Sequence, residues 1–136
     1  MSYVQMLIHG VVRTYKSEPT LPTDDRVKFL YKDIWGIIKN KGGHLYRINS
    51  TSDHVHLLFT MPATIALADF MKAIKASSSK IIKSVDGFEQ FKAWGKGYAA
   101  LSCSLRDRDT VVKYIINQQE HHKKVTFRDE YLEFIK

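Results

Sequence analysis

The sequence predicts an α+β fold, an antiparallel sheet with two helices packed on one of its faces. Three observations lead to this fold class. Apolar side chains alternate with period two in some segments and follow helical spacing in others, two strand-like segments are adjacent and joined by a short turn, and the elements follow the order β-α-β-β-α-β. This order is the split, ferredoxin-like arrangement, with an added C-terminal helix. The 136 residues fit one domain spanning residues 1–136.

The first half of the chain is predicted to contain three strands and one helix. Residues 3–12 alternate weakly and are rich in β-forming side chains, which predicts a strand. Residues 24–40 carry apolar side chains at helical spacing and are followed by two glycines, which predicts a helix and its end. Residues 44–51 and 54–61 are two strands that form a hairpin around Ser52-Asp53.

The second half is dominated by two long helices with a strand between them. Helical periodicity is clearest over residues 64–85, a strand is predicted over 97–104, and a second long helix is predicted over 107–125. Residues 127–136 are predicted to form a further short helix. In the helix over 64–85, residues spaced by three and four form one buried stripe, which consists of Leu67, Met71, Ile74, Ser78, Ile81 and Val85.

The composition is that of a basic protein and favours an anionic partner, although many basic proteins are merely soluble. Lys and Arg number 21 against 14 Asp and Glu, which gives a net charge of +7 and a pI near 9.5. This excess favours nucleic acid as the partner. No apolar run approaches the ~20 residues of a membrane helix and no signal pattern is visible, so we expect a cytoplasmic location. The single cysteine, Cys103, excludes an internal disulfide and is expected in the core.

Two histidines separated by one residue are the sharpest chemical feature. On a strand, His54 and His56 project from the same face, about 7 Å apart along the chain, and Val55 projects from the other. Two neighbouring imidazoles can hold one metal ion, although two unrelated surface histidines would give the same pattern. Asp53 could orient an imidazole. Because adjacent strand residues face opposite ways, however, a role in the turn is the preferred interpretation.

A tyrosine on the last long helix is a candidate nucleophile. Tyr114 and Gln118 are four residues apart and therefore share one helix face, which His121 and His122 continue. A phenol has a pKa of about 10, so attack at neutral pH would need help from a nearby metal ion. The alternative is a boundary tyrosine whose ring is packed and whose hydroxyl is hydrated. The two histidines are interpreted as exposed residues near a helix end, where the dipole favours them.

Two groups of basic residues are candidate phosphate contacts, because DNA-binding proteins neutralise phosphates with Lys and Arg. One group lies along one face of the helix over 64–85, where a solvated helix face explains the lysines equally well. The other group flanks the candidate nucleophile. The candidate DNA-binding residues are Lys72, Lys75 and Lys83 in the first group, and Arg106, Arg108 and Lys113 in the second.

These residues together resemble the HUH endonuclease superfamily, in particular its single-tyrosine insertion-sequence transposases (TnpA-like). Residues 52–59, Ser-Asp-His-Val-His-Leu-Leu-Phe, resemble the HUH strand, in which a bulky apolar residue separates two histidines. Residues 114–122 resemble the tyrosine helix of that family. The resemblance covers nearly the whole chain, with further matches at His9, Val11, Thr14, Pro19 and Leu21, at residues 75–80, and at Trp94, Gly97-Tyr98 and Ser102.

The resemblance implies a metal-dependent DNA strand transferase. Mg²⁺ or Mn²⁺ would be held by His54, His56 and Gln118 and would polarise a phosphate of single-stranded DNA. Tyr114 would attack it, which forms a 5′-phosphotyrosine and a free 3′-hydroxyl, and a later 3′-hydroxyl would reseal the strand without a nucleotide cofactor. Two imidazoles alone would also suit zinc, whereas an amide oxygen as third ligand fits harder ions better.

The resemblance also implies the DNA substrate and the assembly. Relatives recognise DNA hairpins near element ends and act as homodimers with shared active sites, in which the tyrosine helix of one subunit serves the histidines of the other. The polar connection over residues 104–109 would act as the hinge, and the protein would be prokaryotic and nucleoid-associated. Three alternatives are a domesticated relative (a repeat-palindrome-associated tyrosine transposase), a non-catalytic DNA-hairpin-binding module, and a metal-dependent hydrolase that uses water.

Overall fold

The structure is a computed structural model that describes residues 3–117. It contains four strands, β1 (Met6–Arg13), β2 (His44–Ser50), β3 (His54–Met61) and β4 (Ala99–Cys103), and three helices, α1 (Lys28–Asn40), α2 (Leu67–Ile82) and α3 (Arg108–Ile116). The predicted order and type of these elements are confirmed. Between residues 3 and 117, no helix is long and apolar enough to cross a membrane. The predicted helix over 127–136 and the second half of that over 107–125 lie outside the described residues.

The four strands form one antiparallel sheet in the order β2-β3-β1-β4. The predicted hairpin is β2 and β3, which pair directly. Seven of the eight residues of β3 are buried, and only Thr60 is partly exposed. Since side chains alternate between the faces of a strand, burial of both sets means that β3 is covered on both sides.

The principal core lies between one sheet face and helices α1 and α2. Val55, Leu57 and Phe59 project from β3 into it, and the ring of Phe59 stacks on that of Phe70 in α2 with 5.2 Å between centroids. Gly10 in β1 allows this close packing, because a Cβ there would lie 3.3 Å from the Phe59 ring. The predicted placement of two helices on one face is therefore confirmed.

The buried stripe of α2 differs from the predicted one at its end. Met71, Ile74 and Ser78 are buried as predicted, but Ile81 is 41% exposed, whereas Ile82 is fully buried. The buried row steps by four through Phe70, Ile74, Ser78 and Ile82, and such a row runs obliquely around a helix. The prediction for Ile81 is wrong because the helix packs along this oblique row and not along a line parallel to its axis.

Helix α3 covers the opposite face of the sheet. Ile115 packs there with Leu7 of β1 and Leu58 of β3 in a second, small core that the half-buried Cys103 adjoins. The side-chain amide of Asn49 in β2 donates to the carbonyl oxygens of Ile115 at 2.9 Å and Ile116 at 3.1 Å. These bonds satisfy two carbonyls of the last helical turn and tie α3 to the edge of the sheet.

Candidate active site

The two histidines of β3 lie side by side on one face of the sheet. His54 and His56 project from the same face, as predicted, with ring centroids 5.1 Å apart. Their exposed fractions are 1% and 0%. The alternative of two unrelated surface histidines is therefore wrong, because both side chains are buried.

Two residues of the turn before β3 orient the first of these imidazoles. The Nδ1 of His54 lies 2.5 Å from Asp53 Oδ1 and 2.9 Å from Thr51 Oγ1, and the Thr51 hydroxyl donates to the same carboxylate oxygen at 3.0 Å. Asp53 thus lies in the turn, as predicted, but it also contacts the ring, which strand alternation was expected to prevent. That expectation is wrong because β3 begins at His54, so alternation does not yet apply to Asp53.

A third histidine, which was not predicted to belong to the site, contacts the second imidazole. His9 in β1 is 1% exposed, and its Nε2 lies 2.8 Å from Nδ1 of His56. Burial lowers the pKa of His9 to about 4, so its ring is neutral at neutral pH. The pairing of β1 with β3 brings it there. Val11 lies opposite His56, and His9, two residues before Val11, projects from the same face of β1. In the sequence, the sign of a special role for His9 was its position within an otherwise apolar strand. Its partner, His56, could be found only from the strand pairing.

Tyr114, on α3, lies beside the rings of His9 and His56. Its ring centroid is 5.7 Å from that of His56 and 6.0 Å from that of His9, both in edge-on orientation. The side chain is half-buried beside Ile115, as expected for a residue at the edge of the packed helix face. Within this chain, α3 folds back on its own sheet.

The described part of the predicted metal site consists of the two imidazoles. Among residues 3–117, no group of three or more His, Cys, Asp and Glu side chains could hold a metal ion. The predicted third ligand, Gln118, is an amide residue and lies outside the described residues, as do His121 and His122. A buried pair of imidazoles, each with one ring nitrogen already in a hydrogen bond, fits a divalent ion that also needs other ligands.

Comparison with known proteins identifies the family to which this arrangement belongs. Residues 2–118 match the family of transposases described as "Transposase IS200 like", and this match includes every strand and helix described above. The chain belongs to the IS200-like transposase family. The resemblance to single-tyrosine insertion-sequence transposases noted in the sequence is thereby confirmed.

Individual relatives of this IS200-like transposase agree with the assignment. The ISDra2 transposase TnpA of Deinococcus radiodurans is 28% identical over 103 residues, which are 71% of this chain and 70% of that protein. A crystal structure from D. radiodurans R1, provisionally described as a transposase, has a TM-score of 0.66 and 25% identity and covers 87% of this chain and 95% of its own. A REP-associated tyrosine transposase bound to a REP hairpin has a TM-score of 0.64 and covers 92% of this chain and 73% of its own. At 15% identity its likeness concerns the fold alone.

The first group of predicted DNA-binding residues in this IS200-like transposase lies away from the histidines. Lys72 and Lys75 line a groove of about 400 Å³ between α2 and the segment before β4, together with Trp94 and Tyr98. The Lys75 ammonium donates to the carbonyl oxygens of Gly95 at 2.8 Å and Gly97 at 3.1 Å, and burial lowers its pKa. Lys75 is thus partly buried and also anchors that segment.

The remaining predicted cations are exposed or half-buried. Lys83 follows the last residue of α2 and is not among the residues that line the groove. Arg106, just before α3, and Lys113, within α3, are exposed. Arg108 is half-buried, with its guanidinium 5.4 Å from the centroid of the Tyr46 ring and its Nε 3.5 Å from the Asp109 carboxylate. The structure thus divides the six residues between the two faces of the sheet.

A second groove, between α1 and β2, combines cations with aromatic rings and was not predicted. Trp35 is 46% exposed there, and the ammonium of Lys39 lies 4.8 Å from its ring centroid. The sequence feature that could have indicated this groove is Trp35, a tryptophan on the polar side of the helix predicted over residues 24–40. The residues of this groove that combine charge with aromatic surface are Lys28, Tyr31, Lys32, Trp35, Tyr46 and Arg47.

Proposed function

We propose that this chain is a DNA strand transferase that cleaves and rejoins single-stranded DNA at the ends of a mobile element through a 5′-phosphotyrosine intermediate. The observation that carries the proposal is the placement of Tyr114, with its ring 5.7 Å from that of His56 in a face that also holds His54. Membership of the IS200-like transposase family supports this class of reaction.

The chemistry assigned to Tyr114 is attack of its phenolic oxygen on a phosphorus atom of the DNA. The Oη–P bond forms as the P–O3′ bond breaks, the phenolic proton is released, and the 3′-oxygen takes up a proton. The tyrosine–DNA linkage is itself a phosphodiester, so no bond energy is lost to hydrolysis. Attack by another 3′-hydroxyl can therefore reverse the step and rejoin the strand without ATP. A phenol with pKa near 10 is a weak nucleophile at neutral pH. It therefore needs an electrophile made more reactive by neighbouring charge.

The residues proposed to supply that charge through a metal ion are His54, His56 and Gln118. Since Nδ1 of each imidazole is hydrogen bonded, Nε2 is the atom assigned to the ion in each ring. When bound, Mg²⁺ or Mn²⁺ would act as a Lewis acid on the phosphate oxygens. Asp53 and His9 hold the two rings, which reduces the reorganisation needed on binding.

The assignment of the fold to the ferredoxin-like split β-α-β-β-α-β arrangement, as a single domain over residues 1–136, is part of the proposal. The strand order β2-β3-β1-β4 with antiparallel neighbours supports it, as does the position of α1 and α2 on the same face. In this arrangement α3 is the added helix that brings the tyrosine to the free face of the sheet.

The test of the proposed function is a cleavage assay with a labelled single-stranded DNA that carries a hairpin near one end of an element. Incubation with Mn²⁺ should produce a DNA–protein adduct that survives denaturing electrophoresis. A hydrolase would release a free 5′-phosphate with no adduct, and a binding module would leave the strand intact, so either result would overturn the proposal.

The proposed substrate includes a DNA hairpin, and binding is expected to depend steeply on salt. Removal of one lysine that neutralises a phosphate should reduce the slope of log affinity against log salt by about 0.7–0.9. We expect such a reduction in Lys72→Gln and in Lys83→Gln, measured by fluorescence anisotropy between low and moderate salt. Lys92→Gln is the matched control, because Lys92 pairs with Glu18 at 3.5 Å. An unchanged slope in both variants would remove these lysines from the interface.

The proposed assembly is a homodimer with shared active sites, and two inactive variants should together restore activity. In a mixed dimer of Tyr114→Phe with His56→Ala, one site would combine intact histidines with an intact tyrosine, and the other would be doubly defective. We expect activity of at most half the wild-type number of sites, measured in the adduct assay. Co-expression with two different affinity tags shows that the mixed dimer forms. A mixed dimer that forms and still cannot cleave would contradict shared sites.

A further inference from the structure

The hydrogen bond between two buried imidazoles constrains where their protons lie. His9 Nε2 and His56 Nδ1 are 2.8 Å apart, and neither ring is more than 1% exposed. A neutral imidazole carries one N–H and one acceptor nitrogen. One ring must therefore donate and the other accept, and the choice determines the tautomer of both.

Only one of the two choices is compatible with a metal ion on His56. If His56 donates from Nδ1, its Nε2 carries a lone pair and can coordinate. If His9 donates instead, the proton of neutral His56 lies on Nε2, where it blocks coordination. We propose that His9 is a positioning residue that accepts from Nδ1–H of His56 and thereby holds it in the tautomer that binds metal. The inference rests on the proposed role of His56 as a ligand.

The tautomer of His54, the other proposed histidine ligand, can be compared with that of His56. The Nδ1 of His54 faces the Asp53 carboxylate at 2.5 Å, and an ionised carboxylate can only accept, so it selects the same tautomer in His54. Asp53 has a side chain that is 34% exposed, whereas His9 is buried. A carboxylate in the place of His9 would bury a charge at high cost, whereas a neutral imidazole can accept the hydrogen bond from Nδ1–H of His56 without that cost.

The location of His9 also suits a positioning role. It lies in β1, which pairs with β3 over its whole length, so backbone hydrogen bonds fix the distance between the two rings. The planes of His9 and His56 are inclined by 35°, with centroids 5.1 Å apart. His9 therefore restrains both the tautomer and the orientation of the ring, as expected of the partner of a metal-ligating histidine.

The experiment is long-range ¹H–¹⁵N correlation NMR on histidine-labelled, metal-free protein, which distinguishes the two tautomers from the ring nitrogen shifts. We expect Nδ1–H at His56 in the wild type. His9→Phe fills the space without an acceptor and should shift His56 towards Nε2–H, whereas His9→Gln offers an amide oxygen and should preserve Nδ1–H. His54 serves as the control within each spectrum and should not change.

Mn²⁺ titration by calorimetry is the second readout. We expect affinity to fall roughly 10–100-fold in His9→Phe, as for other partners of ligating histidines, and to recover in His9→Gln. The inference is overturned if wild-type His56 carries Nε2–H, which needs no variant to fold, or if His9→Phe leaves both tautomer and affinity unchanged. If wild-type protein binds no Mn²⁺, the proposed metal function fails, while the tautomer comparison still decides whether His9 sets the state of His56.

Discussion

Tyr114→Phe is expected to abolish both strand cleavage and the covalent DNA adduct. The substitution removes the attacking oxygen and little else, so the rate should fall by at least about 10³-fold. Loss of one hydroxyl costs about 1 kcal/mol of folding free energy, and Ile115 continues to anchor α3. Hairpin binding should therefore persist. Denaturing electrophoresis of radiolabelled DNA measures the adduct, and thermal unfolding measures the stability.

Tyr98→Phe is the matched control for this substitution. Tyr98 is 39% exposed and lines the groove beside α2, on the other side of the sheet from the histidines. The same chemical change there should leave the adduct at its wild-type level. An adduct that still forms in Tyr114→Phe would instead assign the nucleophile to another tyrosine, with Tyr98 and Tyr131 tested next.

His54→Ala and His56→Ala are expected to abolish cleavage, and a chelator is expected to do the same in the wild type. Each removes one of the two imidazoles assigned to the ion, so the loss should exceed the roughly 10–100-fold that removal of an orienting partner causes. Gln118→Ala should be milder, because water can substitute for a neutral ligand. The measurement is the rate of cleavage as a function of Mn²⁺ concentration.

A histidine outside the site controls for the loss of a ring. His44 is exposed at the start of β2, where its ring packs edge-on against Tyr46 at 4.5 Å. His44→Ala should retain full cleavage. Because His56 is fully buried, its replacement is accompanied by circular dichroism, which shows whether the sheet persists. Undiminished cleavage in excess chelator would eliminate the proposed role of the histidine pair.

The parts of the site that were predictable from sequence are those that depend on local geometry. His54 and His56 share a face because alternation is a property of the strand itself, and the apolar spacing in α2 follows from the pitch of a helix. The position of Tyr114 near the edge of the packed face of α3 follows from the same periodicity.

The parts that were not predictable depend on contacts between elements. His9 acquires its partner only when β1 pairs with β3, and no spacing along the chain encodes the residue opposite. Ile82 replaces Ile81 in the core because packing selects an oblique row of α2. Asp53 could reach His54 only because the strand begins one residue later, and strand boundaries are set by the whole sheet.

The narrow attachment of α3 has a consequence for exchange between molecules. Within residues 3–117, the fully buried apolar residues that pack α3 on the sheet are Leu7, Leu58 and Ile115, and Asn49 supplies two side-chain bonds to the helix end. Opening of α3 as a unit, with β3 and the principal core still folded, would free this surface. A second copy of the chain presents the same α3-binding surface, so α3 of either copy could bind there with the same contacts. Domain swapping would then require no new interface chemistry, and protein concentration together with the length of the connection would decide which copy α3 occupies.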